Sequence, residues 1–365
     1  MILHKGINNS SLKVGIDLRM VCHSGIGRFL QNLIPAMIKQ ATYPIDWVFI
    51  GNSLLLSKEF LSLPPNVSFY EWSYPIYGMG EQLFSNRLNN IKLDVLHCPH
   101  YNIPLRFNGR LIVTIHDLIH IKYPKSVTNP LGRFYAQWLI LNSINKADQL
   151  VTDSKTVHDE VIHFCPSAKN KTTVILPGIP MFKDISTIPP LINSPFILFV
   201  GINKPHKNIS VLLKSFAQIQ NKYPELKLVI VGNRWKEINS IKNIILLENS
   251  TDPQLIWLYR NAKMLIHPSK SEGFGFTPLE ALSQGCPVIV SDIPVFRNNL
   301  EDSVEYFNLN NPSELSTKIE EILNNPDART YCIQKYNHLA PKFNWDDTAA
   351  GYLELYQKQG NLNAN

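Results

Sequence analysis

No apolar run in this chain approaches the length of a bilayer span, so the sequence predicts no transmembrane helix. The N-terminus MILHKGINNSSLK lacks the apolar core of a signal peptide, which points to a cytoplasmic protein. Cysteine is scarce: Cys22, Cys98, Cys165, Cys286 and Cys332 are odd in number, scattered and never spaced Cys-x-x-Cys. That argues against a disulfide framework or a zinc site and agrees with a reducing compartment. There is no short-period repeat, no low-complexity segment, and no arginine-rich tract or basic helix, so no nucleic-acid partner is expected. What charge there is amounts to a mild basic excess, +6 with a pI near 8.9. Such an excess suits an anionic substrate or an anionic membrane surface. With 44% hydrophobic and 18% charged residues, the composition is that of a folded globular protein.

At 365 residues the chain exceeds one ordinary core, and two domains are expected. Short β-branched runs alternate with helical patterns, the signature of parallel sheets covered by helices. The first half offers KVGIDL, WVFIG, VSFYEW, DVLHC, LIVTIHD, QLVTDS and TTVIL. The second restarts with FILFVG and continues through KLVIVG, NIILLEN, AKMLIHPS, PVIVSD and VEYFNL. Between them PGIPMFKDISTIPPLINSP, residues 177–195, is proline-rich and aperiodic and reads as a linker. The pattern predicts an α/β protein of two doubly wound domains, residues 1–180 and 190–340. A last helix is expected over 345–360, with Trp345 near its start and Leu353 and Tyr356 on one face. Ligands of such sheets sit beyond the carboxyl ends of the strands, and a cleft between two facing domains draws on both sets of loops.

Four loops at predicted strand ends carry chemistry. The first, SEGFGFTPLEALSQG, residues 271–285, leaves the strand MLIH. Thr277 reads as a helix N-cap, Pro278 as its first turn and Gly285 as its stop. Thr277 and Glu280 also fit a capping box, in which the glutamate bonds back to the cap amide, so Glu280 is balanced between cap and ligand. Glu272 has no cap to serve. It precedes Gly273, Phe274, Gly275 and Phe276, where two glycines let the backbone approach a ligand closely. A carboxylate there accepts hydrogen bonds from sugar hydroxyls, and the helix N-terminus behind it favours a phosphate.

The second loop follows Asp17: a turn Ser24-Gly25-Ile26-Gly27, with a helix expected from about Arg28. It is not Gly-x-Gly-x-x-Gly, and a structural tight turn is the commoner reading of a lone Gly-x-Gly. In the third, His116 ends the strand LIVTI beside Asp117. A single histidine is more often structural than catalytic. His97 and His100 of HCPHY lack carboxylates at metal-ligand spacing, so no metal site is expected. The fourth, GINKPHKNIS, residues 201–210, sets Lys204 and Lys207 before a helix expected from about Asn208. Lysines opening a helix oppose its dipole and point to an anion. Lys204 reads as a solvated lysine and Lys207 as the anion-binding candidate.

Together these loops resemble the retaining family 4 glycosyltransferases of the GT-B fold, over essentially the whole chain. SEGFGFTPLEALSQGCPVIVSD is similar to that family's Glu-x7-Glu segment and GINKPHKN to its phosphate-binding lysine loop. SGIGRFLQNL is similar to its glycine loop and TIHDL to its catalytic-histidine loop, while TDSKTVHDEV and ILPGI are similar to segments that close its first domain. The resemblance implies two Rossmann-like domains facing a central cleft. The first would lie on the acceptor side, with the C-terminal helix packing back on it, and the second would hold the donor.

The same resemblance implies Glu280 on the ribose hydroxyls of a nucleotide, Glu272 on the donor sugar, and the backbone of Gly273 to Phe276 helping to seat it. Lys207 would neutralise the departing pyrophosphate, and His116 would lie near the reacting carbon. Gly25, Gly27 and Arg28 would lie under the donor phosphates or the acceptor. The arginine that the family often places five residues before its lysine is Ile202 here, which leaves Arg28, Lys204 or Arg234 to supply a second cation. Glycosyl transfer breaks a C–O bond towards an oxocarbenium ion while charge grows on the diphosphate. Preorganised cations and helix-end amides stabilise that charge without a metal. Metal-dependent GT-A enzymes use an Asp-x-Asp pair, which this sequence lacks.

The resemblance therefore implies metal-independent, retaining transfer with no cofactor beyond the nucleotide-sugar donor. The leaving phosphate would help to deprotonate the acceptor, and no carboxylate pair would have to form a covalent intermediate. SGIGRFLQNL, PHYNIP and GINKPHKN look most like bacterial mannosyl- and rhamnosyltransferases of surface polysaccharide assembly. That implies a hexose, with GDP-mannose as first choice, passed to a glycan or lipid-linked acceptor, and peripheral association with the inner face of the membrane.

Three rivals fit less well. A GT-B nucleotide-sugar 2-epimerase would need acid–base carboxylates in the cleft and no acceptor, and EGFGFTPLEAL fits transferases better. A Rossmann oxidoreductase needs its full glycine fingerprint and an acidic residue after the second strand, where WVFIGNS has none. A non-catalytic nucleotide-sugar-binding protein should have lost reactive residues, and Glu272, Glu280, Lys207 and His116 are all present.

Overall fold

The computed structural model describes residues 11–124, 129–179, 192–233, 235, 238 and 241–358. Each apolar run of the sequence becomes a strand. The first sheet contains β1 (Leu12–Asp17), β2 (Ile45–Gly51), β3 (Val67–Glu71), β4 (Val95–Cys98), β5 (Arg110–Ile115), β6 (Gln149–Thr152) and β7 (Thr172–Val174). The second contains β8 (Phe196–Val200), β9 (Lys227–Val231), β10 (Ile244–Leu247), β11 (Met264–His267), β12 (Val288–Ser291) and β13 (Glu305–Phe307). Their orders are β3-β2-β1-β4-β5-β6-β7 and β10-β9-β8-β11-β12-β13. The strand pairs of both sheets are parallel.

Parallel strands covered by helices on both faces read as continuous apolar runs. β4, β11 and β12 are buried along their whole length, as that rule requires. Both orders turn back beside their first strand, between β1 and β4 and between β8 and β11. Loops diverge at such switch points and open a crevice at the carboxyl ends. The fold is therefore two Rossmann-like α/β domains.

The last helix, Trp345–Lys358, lies on the first domain beside the helix Ser24–Gln40. Tyr352 and Tyr356 are fully buried there. The Tyr352 hydroxyl is 2.8 Å from Thr114 Oγ1, and the Tyr356 hydroxyl is 2.7 Å from His97 Nδ1. Tyr43 donates to the Leu353 carbonyl at 2.7 Å. His97 is thus a core residue; burial pushes its pKa down to about 3, so a neutral ring makes these bonds.

Two local readings are corrected. The turn expected over Ser24–Gly27 is already helix, which begins at Ser24 rather than near Arg28. Gly27 makes this possible, because a Cβ there would lie 2.3 Å from the Val21 carbonyl oxygen. Thr277 is not an N-cap: the helix Phe276–Ser283 starts from Gly275 at φ 98°, a left-handed turn that brings the chain straight into the helix without a side-chain cap. Residues 180–191 of the expected linker, and Arg234, lie outside the described residues.

Candidate active site

Glu280 occupies the second turn of the Phe276–Ser283 helix and is only 4% exposed. With the cap elsewhere, its carboxylate is turned to other partners. Tyr259 donates a hydrogen bond to Oε2 at 3.0 Å, and Arg28 Nη1 of the first domain stands 3.1 Å from Oε1. Arg28 also reaches Asp252 Oδ1 with Nη2 at 2.6 Å. Burial raises the pKa of Glu280 above its ordinary value, and Arg28 and Tyr259 only partly offset this.

Glu272 anchors a second cluster. Lys207 Nζ and His267 Nε2 both donate to its Oε1, at 2.7 and 2.9 Å, which leaves Oε2 outside both bonds. Burial alone would raise this carboxyl, but the Lys207 charge and the His267 hydrogen bond hold it well below the usual range. His267 is shifted down by burial and by Lys207, so it donates as a neutral ring. Its buried Nδ1 has no protein partner. Lys207 closes the single turn Pro205–Lys207, and Asn208 at φ 52° redirects the chain into the helix Ile209–Ile219. Lys204 is half-buried rather than solvated, and it helps lower the pKa of His206 and His120.

The opposite wall belongs to the first domain. His116, just past β5, contacts Asp153 Oδ2 through Nδ1 at 2.5 Å and the Pro99 carbonyl through Nε2 at 2.9 Å. A carboxylate and a carbonyl both accept, so both ring nitrogens donate and the ring is an imidazolium. Burial opposes that charge, but Asp153, Asp117 and the Pro99 carbonyl outweigh it and raise the pKa. A sugar contact through either nitrogen requires one of these bonds to be given up. The His116 carbonyl meets Gly273, where a Cβ would stand 1.9 Å from it. Ser154 Oγ donates to the Gly273 carbonyl at 2.8 Å and fastens the glycine loop to this wall.

The remaining candidates divide. Phe274 is 3% exposed and its carbonyl accepts from Asn299, so its side chain serves the second core. Phe276 is half-buried and packs against cores of both domains. Gly25 faces open space. Beside the His116 wall a small recess of about 10 Å³ lies at the ends of β1 and β4, lined by Asp17, Arg19, His100 and Asn102 among others. Arg19 braces it through Asp17 at 2.5 Å and the buried Glu81 at 2.6 Å. Among the described residues no three His, Cys, Asp or Glu side chains are placed to share a metal ion.

Two facing Rossmann-like domains with paired glutamates on one wall and a charged histidine on the other agree with what the sequence matches. Residues 184–338 match the family Glycosyl transferases group 1, and residues 23–181 match Glycosyltransferase Family 4. The chain belongs to the group 1 glycosyltransferases of the GT-B fold.

This glycosyltransferase is similar to the O-antigen chain mannosyltransferase RfbU of Salmonella typhimurium, 29% identical over 258 residues that cover 68% of this chain and 69% of that protein. It is also similar to O-antigen chain mannosyltransferase B of Escherichia coli, 24% identical over 303 residues, 74% of this chain and 76% of the other. Among solved structures, sucrose-phosphate synthase of Thermosynechococcus elongatus superposes with a TM-score of 0.73 at 17% identity, covering 97% of this chain and all of the other. HepE of Anabaena in complex with UDP and glucose gives 0.71 at 15% identity, covering 94% and 99%. At these identities the structures establish the fold.

Sequence reasoning passed over five residues that touch the candidates: His267, Tyr259, Asp252, Asp153 and Ser154. Three of them carried a usable signal. His267 ends β11, and Asp153 and Ser154 directly follow β6, all at carboxyl ends where ligand loops of the glycosyltransferase start. Asp252 and Tyr259 sit on the helix Asp252–Asn261 and carried none.

Proposed function

We propose that this glycosyltransferase moves a hexose, mannose from GDP-mannose, with retention of configuration onto a glycan or lipid-linked acceptor in surface polysaccharide synthesis. The observation that carries this reading is one cleft wall holding Glu280 and Glu272, the latter with Lys207 and His267, faced from the first domain by Arg28 and His116. The O-antigen mannosyltransferases among its relatives support the choice of sugar and pathway class.

In this reading Glu280 receives two ribose hydroxyls and Arg28 moves off it. The freed guanidinium joins Lys207 at the diphosphate, in the place that Ile202 leaves without a cation. Glu272 offers Oε2 to the donor sugar, and amides of Gly273 to Phe276 seat it. His116, held cationic by Asp153, keeps the reacting side of the cleft positive. These fixed charges stabilise the growing negative charge in place of a metal. The acceptor hydroxyl approaches from the side of the first domain and loses its proton to the leaving phosphate. The work takes place at the inner face of the cell membrane, with the protein peripherally bound.

The test is nucleotide release and product anomer analysis over a panel of nucleotide sugars, with and without excess chelator. GDP-mannose should be preferred, the product should retain the donor configuration, and chelator should leave the rate unchanged. Preference for a uridine or thymidine donor would overturn the choice of sugar. Loss of transfer in chelator, restored by magnesium or manganese, would overturn the metal-free mechanism.

A further inference from the structure

His267 ends β11, a strand buried along its whole length, and is itself 1% exposed. Its ring lies nearly parallel to that of Phe199 on β8, with centroids 6.4 Å apart and planes at 15°. On another side it meets Phe296 at 5.7 Å and 74°. A ring packed between two others at the end of a central strand is held in one orientation. Its Nε2 donates to Glu272 Oε1 at 2.9 Å, and Lys207 Nζ donates to the same oxygen at 2.7 Å. The two donors differ in stiffness and in charge. Lys207 reaches the carboxylate at the end of a flexible four-carbon stem, from the single turn Pro205–Lys207. His267 is kept neutral by burial and by Lys207, and its buried Nδ1 has no acceptor among the described residues for a second N–H.

We infer that His267 is a positioning residue for the sugar-binding carboxylate: it pins Glu272 by Oε1, so that Oε2 stays on the donor sugar while Lys207 turns to the diphosphate. This rests on the proposed assignment of Glu272 to the sugar and of Lys207 to the diphosphate. A carboxylate held by a flexible lysine alone follows the ammonium group when that group moves. A second bond from a fixed ring keeps Glu272 in place, as a binding group supported from a rigid element requires. A neutral donor suits this place better than another cation. It leaves the negative charge of Glu272 available to sugar hydroxyls and does not compete with Lys207 for phosphate. The other titratable group of this corner is His206, which burial pushes down to about 4 and on which Glu272, Lys207, Lys204 and His267 all act. Burial would raise the Glu272 carboxyl, and the His267 hydrogen bond is one of the interactions that hold it low. Loss of that bond should move the Glu272 titration upward.

The experiment compares the whole protein with His267→Phe, which keeps a ring and removes the donor, and with His267→Gln, whose amide donates from near the place of Nε2. The Glu272 titration is followed by NMR of carboxyl-labelled glutamate, its signal identified by its loss in Glu272→Gln. Calorimetry gives the affinity for guanosine diphosphate, and kcat and KM for GDP-mannose are measured across pH. His267→Phe should titrate Glu272 at higher pH than the parent and bind guanosine diphosphate as the parent does. Its kcat should fall about tenfold or more, the scale of a displaced contact at the reacting sugar. The acid limb of its kcat should move to higher pH with the titration. His267→Gln should recover most of both changes. His206 is common to all three proteins, so a displacement that glutamine reverses belongs to Glu272. Absence of transfer in the parent from every nucleotide sugar would sink the proposed function, and the titration would still decide whether His267 holds Glu272. An unmoved titration in His267→Phe, a moved titration with unchanged kcat, equal losses in both variants, or a guanosine diphosphate affinity that falls with kcat would each overturn the inference.

Discussion

Arg28 and Glu280 meet across the cleft at 3.1 Å, one from the second turn of a helix in the first domain, the other from a helix of the second. The pair occupies the carboxylate that the proposed function assigns to ribose. In the proposed function donor binding separates the pair and sends the guanidinium to the diphosphate.

The first prediction tests that exchange. Arg28→Ala should weaken binding of guanosine diphosphate by roughly 1.5–3 kcal/mol, the usual scale for losing a charged hydrogen bond. Guanosine, which has no phosphate, should bind no worse, since its competitor for Glu280 is gone. Calorimetry with both ligands separates the two effects. An equal loss for both would remove Arg28 from the diphosphate.

The glutamates should part company. Because Gly275 rather than Thr277 opens the helix, Glu280 has no capping duty that a glutamine could take over. Glu280→Gln should weaken free nucleoside diphosphate binding by about 1.5–3 kcal/mol. Glu272→Gln should leave that affinity near the parent value and lower turnover, because the free nucleotide lacks the sugar that Glu272 meets. Both variants behaving like the parent in binding and transfer would return the segment to a structural role.

The pH dependence of stability should carry opposite contributions from the two walls. The pKa of His116 is raised on folding, so its contribution is full below its unfolded value of about 6.5 and disappears as pH rises through the higher folded value. Glu272 is depressed, so its contribution is present above about 4.3 and disappears as pH falls through the lower folded value. Asp153→Asn should therefore destabilise the protein more at about pH 6 than at about pH 9. Denaturant unfolding of parent and variant at both pH values measures this. A pH-independent difference would mean that Asp153 does not hold His116 charged.

Two glycines should respond unequally to alanine. A Cβ at Gly273 meets the His116 carbonyl oxygen at 1.9 Å, and neither backbone can yield without parting the walls of the cleft. Displacements of about 1 Å in such a site commonly cost on the order of a hundredfold in rate. Gly273→Ala should lose turnover on that scale. Gly25→Ala meets nothing within 4 Å and should keep most of its activity. Comparable rates for the two variants would show that the close approach at Gly273 is unimportant for transfer.

Much of this protein follows from local pattern. The β-branched runs specified the strands of both sheets, because alternating buried strands and helices impose a composition that is readable over five or six residues. The loops at their carboxyl ends contained Glu272, Lys207 and His116, since a parallel sheet presents its ligand loops at that end. Gly285 was also legible as a helix stop, and it takes φ 70°, a conformation that side chains rarely adopt. Tertiary structure decided the partners. Arg28 finds Glu280 and Asp252 only when two domains face each other, and His97 finds Tyr356 only when the last helix returns to the first domain. The helix starts at Ser24 and Gly275 depended on the same kind of information. Gly275 fits against the Phe296 ring, a contact set by packing between segments, and Gly27 against the Val21 carbonyl, a close turn that no apolar period records.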